Sequence, residues 1–253
     1  MFENMTTADR IAAAKTKTAR VIDHLLYLLE LHENNAIILY SPTLSSQIPT
    51  SYAANAFNVF QRALHQFEIV RLCALWDRAE EDKENIPTIV ELINDPKVID
   101  ALAEETRSHW TDAGGTILND PSDDPQLFAA AEDAFRRSNE QFGQKQAMKA
   151  RSDLTEAICV VRYILKSESL TAIMNIRDKH LAHSLSRTRR EKTGPITRMQ
   201  YGDEREMLSA SLKIAENLYC WVNGTSFSFA NSREIDRKNA EALWHHCTFG
   251  IDT

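Results

Sequence analysis

NIRDKHLAHS, residues 175–184, lies near the end of a predicted helical segment that begins at about Leu170. On a regular α-helix, which turns by about 100° per residue, an apolar stripe forms from Leu170, Ile173, Met174 and Leu181. Arg177 falls in the middle of this stripe, where a core residue is expected. A step of three residues turns the helix by about −60°, so the spacing predicts that Arg177, His180 and His183 form one slanting ridge.

Three interpretations of this ridge are open. The arginine can simply pair with a buried carboxylate, while histidines near a helix C-terminus interact favourably with the helix dipole. Alternatively, the guanidinium can hold a phosphate with two hydrogen bonds while an imidazole exchanges a proton near neutral pH. Those two groups together could break an RNA phosphodiester without a metal. A third interpretation is a metal site, in which His180 and His183 share an ion with a distant carboxylate.

The motif resembles that of a known protein superfamily. Arg177, the polar Asp178 and then His183, with five residues between the arginine and the histidine, match the HEPN superfamily (higher eukaryotes and prokaryotes nucleotide-binding). The abortive-infection U-type branch is the most similar part of it. The sequence ALWDRAEE at residues 74–81 and the helical pattern around the motif add to the resemblance, which covers residues 5–225.

The resemblance implies a fold and a domain organisation. We expect an all-α protein, a helical bundle with a HEPN-like core of long antiparallel helices and short accessory helices. Residues 1–225 would form the HEPN-like domain, and residues 226–253 a C-terminal helical tail packed on the same domain.

The resemblance also implies that the chain is an endoribonuclease that needs neither a metal nor another cofactor. Such an enzyme would act in phage defence or in toxin-like growth arrest. His183 would transfer protons, Arg177 would bind the scissile phosphate and Asp178 would orient one of these groups. His180 is an accessory candidate. Asp77 is the preferred carboxylate partner, ahead of Glu68, because it lies in the sequence that resembles the family.

The partners implied by the resemblance are RNA and a second copy of the chain. In such a homodimer two motif helices would meet, so that Arg177 and His183 of both subunits line one cleft. An antitoxin or another regulatory partner also fits this class of protein. HEPN toxins paired with nucleotidyltransferase antitoxins carry a tyrosine two residues after the histidine, whereas this chain has Leu185. Control by adenylylation of that tyrosine is therefore not implied.

Charge is distributed unevenly along the chain. The formal net charge of −7 argues against broad electrostatic capture of nucleic acid, because phosphate contacts require cations. Residues 187–198, RTRREKTGPITR, nevertheless hold five basic residues and one acid directly after the motif. This segment is either a solvated loop or an RNA-binding surface. The candidate RNA-binding residues are Arg187, Arg189, Arg190 and Lys192.

Composition predicts a soluble protein. Seven glycines and seven prolines in 253 residues are typical of a mainly helical chain, and its length suffices for a hydrophobic core. The sequence contains no run of about 18 apolar residues, and its first residues lack the order of a signal peptide. We therefore expect a cytoplasmic protein without a membrane span. Four isolated cysteines lack the paired spacing of a zinc site.

Hydrophobic periodicity predicts the main helices. One runs from Thr7 to about Tyr40, and a second begins at Ser51 with a core face made of Phe57, Phe60, Leu64, Phe67 and Leu75. Residues 112–124 are predicted to form a surface loop before a long helix that ends at about Leu165. The short turn after that helix predicts an antiparallel hairpin with the motif helix.

A second function stays open beside the nuclease. The chain could be a non-catalytic helical binding or sensor module, in which Arg177 forms a structural ion pair.

Overall fold

The computed structural model describes residues 2–48, 50–112 and 125–250, and within these ranges every regular element is helical. The predicted all-α class is confirmed. Of the loop predicted for residues 112–124, Asp112 is the last residue of α5, and residues 113–124 lie outside the described residues. The α-helices are α1 (Thr7–Tyr40), α2 (Pro42–Gln47), α3 (Tyr52–Leu75), α4 (Ile86–Ile93), α5 (Pro96–Asp112), α6 (Pro125–Ile164), α7 (Glu168–Ile176), α8 (Arg189–Thr193), α9 (Asp203–Asn223) and α10 (Ala230–Trp244). A π-helical segment, Arg177–Leu181, continues α7.

Helix α1 is the central element of the bundle. It starts at a capping box in which Thr6 and Asp9 satisfy each other's backbone N–H groups, and it ends at Ser41, because the following proline disfavours helical geometry there. Its apolar positions are fully buried at Ala14, Val21, Leu25, Leu28 and Leu29. Helices α3, α4, α5, α9 and α10 pack around it.

Helix α3 buries a different face from the predicted one. Phe60 and Phe67, assigned to the core from the aromatic spacing, are 44% and 43% exposed, although Leu75 is buried as expected. The face that packs against α1 and α9 instead contains Glu68, Ile69, Leu72 and Cys73. The prediction was wrong because α3 is apolar on two opposite sides, and periodicity alone does not tell which side faces the core.

The predicted hairpin between α6 and the motif helix does not form. Helix α6 packs along α5 and uses its apolar residues Leu154, Ile158 and Val161 in the common core, in contact with α4 and α9. The α6 core face is therefore already covered. After the turn at residues 165–167, α7 lies against α9 and α3. Leu170, Ile173 and Met174 are buried there, as the apolar stripe predicts.

The C-terminal helix packs along α1. Arg233 Nε donates to Glu33 Oε1 at 2.9 Å, and Trp244 Nε1 donates to Asn34 Oδ1 at 2.9 Å. These contacts attach residues 230–244 to the central helix. None of the helices within the described ranges combines the length and the apolar character needed to cross a membrane.

Candidate functional site

Contacts on both sides position Asp77 at the end of α3. The neighbouring Trp76 is 1% exposed, and its indole N–H donates to the Ser211 hydroxyl oxygen of α9 at 2.8 Å. On the other side, the Asn85 side-chain amide donates to the Asp77 carbonyl oxygen at 3.1 Å. A buried aromatic anchor and a backbone hydrogen bond therefore fix the position from which the Asp77 carboxylate reaches the motif.

The motif leaves α-helical geometry at Arg177. The Ala182 N–H donates to the Arg177 carbonyl oxygen at 2.8 Å, a bond over five residues that widens the helix into a π-turn. His183 follows beyond the end of this turn. The predicted ridge of Arg177, His180 and His183 was therefore wrong, because it assumed a regular α-helix through residue 183.

The Arg177 guanidinium lies between two carboxylates. Nη1 donates to Asp77 Oδ1 at 2.5 Å, while Nε and Nη2 donate to Asp178 Oδ1 at 3.0 and 2.8 Å. These pairs explain how a cation occupies the middle of an apolar stripe. Burial lowers the pKa of Arg177, but the hydrogen bonds to the two aspartates outweigh it, so the pKa is raised overall and the side chain is always charged.

The charges continue on both sides of Arg177. Asp178 Oδ2 accepts a hydrogen bond from Arg190 of α8, and Asp77 Oδ2 lies 3.9 Å from Lys83 Nζ. Positive and negative groups thus alternate across the site. Asp178 connects the motif arginine with the basic segment that follows the motif.

Helix α8 is fixed to the motif by a second polar network. The buried Thr188 donates its hydroxyl hydrogen to Asn175 Oδ1 at 2.5 Å. Glu191 Oε1 accepts from Lys179 Nζ at 2.8 Å and from Asn175 Nδ2 at 3.1 Å. Hydrogen bonds from Lys179, Asn175 and the Thr188 backbone lower the pKa of Glu191 to about 2. The single acid of the basic segment is therefore neutralised by the motif.

Four of the five basic residues of segment 187–198 line a groove together with the motif. The groove has a volume of about 800 Å³ and is formed by Asp178, His183, Leu185, Arg187, Thr188, Arg189, Arg190 and Lys192. It contains one histidine, one motif aspartate and four cations. The structure thus brings the predicted RNA-binding residues to the same surface as His183 and Asp178. Arg177 does not line the groove, but it donates two hydrogen bonds to Asp178, which does.

His180 is separated from this groove. Its side chain lines another cavity, of about 710 Å³, which shares no lining residue with the groove. The two histidines of the alternative metal site therefore face different cavities. In the described part of the chain, no group of three or more His, Cys, Asp or Glu residues is placed to hold a metal ion.

A buried thiol lies close to Arg177. Burial raises the pKa of Cys73 to about 12, so this thiol stays protonated at neutral pH and is a poor nucleophile. Glu68, the other candidate carboxylate for Arg177, is used elsewhere. It lies 2.6 Å from His32 Nδ1 and accepts from Asn35 Nδ2 at 2.6 Å, inside the α1–α3 interface.

Comparison with known proteins identifies the family. The family model HEPN AbiU2 matches residues 17–243, well over half of the chain. The chain belongs to the HEPN AbiU2 family. It is accordingly a HEPN-type protein of an abortive-infection family, as the motif resemblance implied. Searches of curated proteins and of solved structures gave no significant match.

Sequence reasoning missed the residues that position the site of this HEPN AbiU2 protein. Asn175 and Thr188 are buried polar groups with no signature of their own, and Arg190 was taken only as an RNA contact. One signal was present: Thr188 and Glu191 have the spacing of a capping box, which predicts the start of α8.

The Lys179–Glu191 pair gives a prediction about pH. The folded-state pKa of Glu191 lies below its usual value, so the contact is complete above about pH 5 and is lost as the pH falls towards 2. A carboxyl NMR titration should give a Glu191 pKa near 2, and Lys179→Met should raise it because the largest stabilising hydrogen bond is removed. Lys192→Met, a change on α8 outside this pair, should leave it low. An unchanged pKa in Lys179→Met would contradict the network.

Proposed function

We propose that this HEPN AbiU2 protein is a metal-independent endoribonuclease of the cytoplasm that acts in phage defence or toxin-like growth arrest. One observation carries the proposal: His183 opens into the groove that also contains Asp178 and the cations of residues 187–192. A proton-transfer group next to a phosphate-binding surface is what RNA cleavage without a metal requires. Family membership supports the HEPN type of activity.

Arg177 keeps part of its hydrogen-bonding capacity. A guanidinium has five N–H groups, and in Arg177 the nitrogens Nε, Nη1 and Nη2 each donate one to Asp77 or Asp178. Two N–H groups are left for the scissile phosphate. As negative charge builds up on the phosphate oxygens, a preoriented guanidinium stabilises it electrostatically. The two aspartates fix that orientation.

The His183 imidazole is free to contact a ligand. It is exposed and makes no hydrogen bond within the described residues, so its nitrogens are available to a substrate. As a base it would remove the 2′-hydroxyl proton while the 2′-oxygen attacks phosphorus. As an acid it would protonate the leaving 5′-oxygen. The products are a 2′,3′-cyclic phosphate and a 5′-hydroxyl, and such proton transfer contributes about 10²–10⁴-fold in rate.

The RNA backbone would be held by cations that have no carboxylate partner. Within the described residues, Arg187, Arg189 and Lys192 form no ion pair with an acid, although Arg187 donates to the Glu191 carbonyl oxygen. Free cations of this kind bind phosphates by releasing counterions. Their concentration at one groove offsets the net charge of −7 for a ligand that binds there.

We propose further that the active form is a homodimer joined through α3. Its outward side carries an apolar row, called here the α3 stripe, made of Tyr52, Ala56, Val59, Ala63, Phe67, Val70 and Ala74, all exposed. The spacing keeps them on one side of the helix, opposite the buried face. An apolar surface about 33 Å long, from 22 rises of 1.5 Å, is typical of the centre of a protein interface.

The α3 stripe also lies close to the site. It ends at Ala74, three residues before Asp77, so a two-fold contact through this end would bring two motif regions side by side. Arg177 and His183 of both subunits would then face one cleft. An interface of standard size covers about 800 Å² per partner, so residues around the stripe would contribute as well. An antitoxin or other regulatory partner would act by blocking this cleft or separating the subunits.

One observation favours a second candidate function, a helical binding or sensor module without catalysis. Arg177 is only 19% exposed and already pairs with two carboxylates, an arrangement that also suits a purely structural cation. In that case the groove would bind an anionic partner without cleaving it. The nuclease and the binding module predict different effects on activity and stability when the Arg177 side chain is removed.

Replacement of His183 by alanine should reduce RNA cleavage by about 10²–10⁴-fold, because the proton-transfer group is lost. The assay uses purified protein, labelled single-stranded RNA and excess EDTA, with product analysis for the 2′,3′-cyclic phosphate. His180→Ala is the matched control, since it removes a histidine that lines the other cavity, and it should cleave within a few-fold of wild type. Full activity of His183→Ala, or loss of wild-type cleavage in EDTA, would count against the proposal.

Replacement of Arg177 by alanine separates the two candidate functions. A nuclease should lose cleavage while the variant stays folded. Because Arg177, Asp77 and Asp178 keep 19%, 30% and 26% of their side chains exposed, we expect a loss of only about 1–2 kcal/mol in unfolding free energy. Urea denaturation measures this loss. An inactive wild type together with a loss of about 3–5 kcal/mol, as for a fully buried pair, would instead support the binding module.

Charges introduced into the α3 stripe should separate the subunits. Val59→Glu buries a carboxylate in the proposed interface, so sedimentation should show a monomer in place of the dimer, with unchanged helical circular dichroism and strongly reduced cleavage. Ile235→Glu, at an exposed apolar position of α10, should remain dimeric and active. A wild-type monomer, or a dimer that survives Val59→Glu, would refute this interface.

A further inference from the structure

The cavity that contains His180 has the features of a ligand site. It lies between α3, the motif segment and residues 196–201, and has a volume of about 710 Å³. Pockets of roughly 300–1,000 Å³ hold small organic ligands. The residues that matter for its chemistry are Arg62, His65, Lys179, His180, Arg198 and Tyr201. The RNA cleavage proposed above does not involve this cavity.

Tyr201 forms an aromatic platform at the edge of this cavity. One face of its ring stacks on His65, with ring centroids 5.5 Å apart and planes inclined by 22°, and Tyr40 contacts it edge-on at 6.3 Å. Yet 77% of Tyr201 is exposed, so the opposite face of the ring is open to solvent. A large aromatic ring that is supported on one face and bare on the other is suited to stacking with a planar ligand.

A buried carboxylate, that of Glu204, positions the rings that pack against Tyr201. Glu204 is 2% exposed, and its carboxylate lies 3.8 Å from His65 Nε2 and accepts hydrogen bonds from the Tyr40 hydroxyl at 3.1 Å and the Gly202 N–H at 3.0 Å. Burial raises the pKa of Glu204, but its hydrogen bonds and His65 outweigh this and lower it to about 2. Glu204 therefore remains charged and holds the His65 and Tyr40 rings, both of which contact Tyr201.

Cations with no acidic partner face the same cavity. Arg62 and Arg198 are exposed and form no ion pair with any described carboxylate. Lys179 is present too, but it is neutralised by Glu191. The cavity thus offers two free guanidinium groups, which bind phosphate through paired hydrogen bonds.

From this combination we propose that the cavity binds a nucleoside phosphate, with the base stacked on the open face of Tyr201 and the phosphate held by Arg62 and Arg198. Stacking on an aromatic ring together with guanidinium contacts to phosphate is how proteins hold single nucleotides without reading their sequence. A free nucleotide and one nucleotide of an RNA strand share this chemistry. The proposal does not depend on RNA cleavage.

The test measures binding by the full-length chain with defined probes. Calorimetric titrations use AMP, adenosine and inorganic phosphate, and fluorescence anisotropy follows a labelled 2′-O-methyl RNA hexamer that cannot be cleaved. AMP should bind one-to-one and more tightly than adenosine or phosphate alone. Tyr201→Ala should weaken AMP binding about tenfold through lost stacking, and the double change Arg62→Gln with Arg198→Gln should weaken it at least as much.

Tyr163→Ala removes another tyrosine that is 77% exposed, on α6, and should leave binding unchanged. If only the hexamer loses affinity in Tyr201→Ala, the cavity takes a nucleotide within an RNA strand. If AMP and hexamer both bind Tyr201→Ala and the arginine variant within twofold of wild type, the proposal is wrong. Since no cleavage is measured, failure of the nuclease proposal would leave these results unaffected.

Discussion

The Arg177 guanidinium, held between Asp77 and Asp178, is the interaction on which the site depends. A largely buried charge is tolerated only when it is paired and hydrogen-bonded, and this one has three hydrogen bonds to two carboxylates. The pairing joins the end of α3 to a motif 100 residues later in the chain. Asp178 also accepts a hydrogen bond from Arg190, so the same aspartate links Arg177 to the basic segment.

This arrangement has a consequence for ligand binding. Asp77, Arg177, Asp178 and Arg190 carry two negative and two positive charges, so the central group is electrically neutral and would not attract a phosphate by itself. The attraction must come from cations outside it, Arg187, Arg189 and Lys192 among them. Their location depends on α8, which Asn175 and Lys179 attach to the motif through Thr188 and Glu191. Within residues 175–192, one set of side chains would thus hold the phosphate, and a different set positions Arg177.

Sequence patterns predicted the helices well and the contacts between them less well. Proline after serine ended α1, and a proline lies in the first turn of α4, α5 and α6, because these signals act within a few residues. The outward face of α3 and the packing of α7 could not be predicted, since both depend on which distant surface is still uncovered. Placement of Asp77 next to Arg177 was expected from family resemblance; the links through Asn175 and Thr188 required coordinates.

The π-turn accounts for the separation between the two cavities. On a regular helix, His180 and His183 would be adjacent along one ridge and would share one surface. The bond from Ala182 to the Arg177 carbonyl oxygen inserts an extra residue into the turn, and the Leu185 N–H then donates to the Lys179 carbonyl oxygen at 3.0 Å, which ends the helix. His183 is thereby directed to the basic groove while His180 stays with Tyr201. Since π-turns are rare in helices and are found frequently at functional sites, this local distortion adds support to the role proposed for His183.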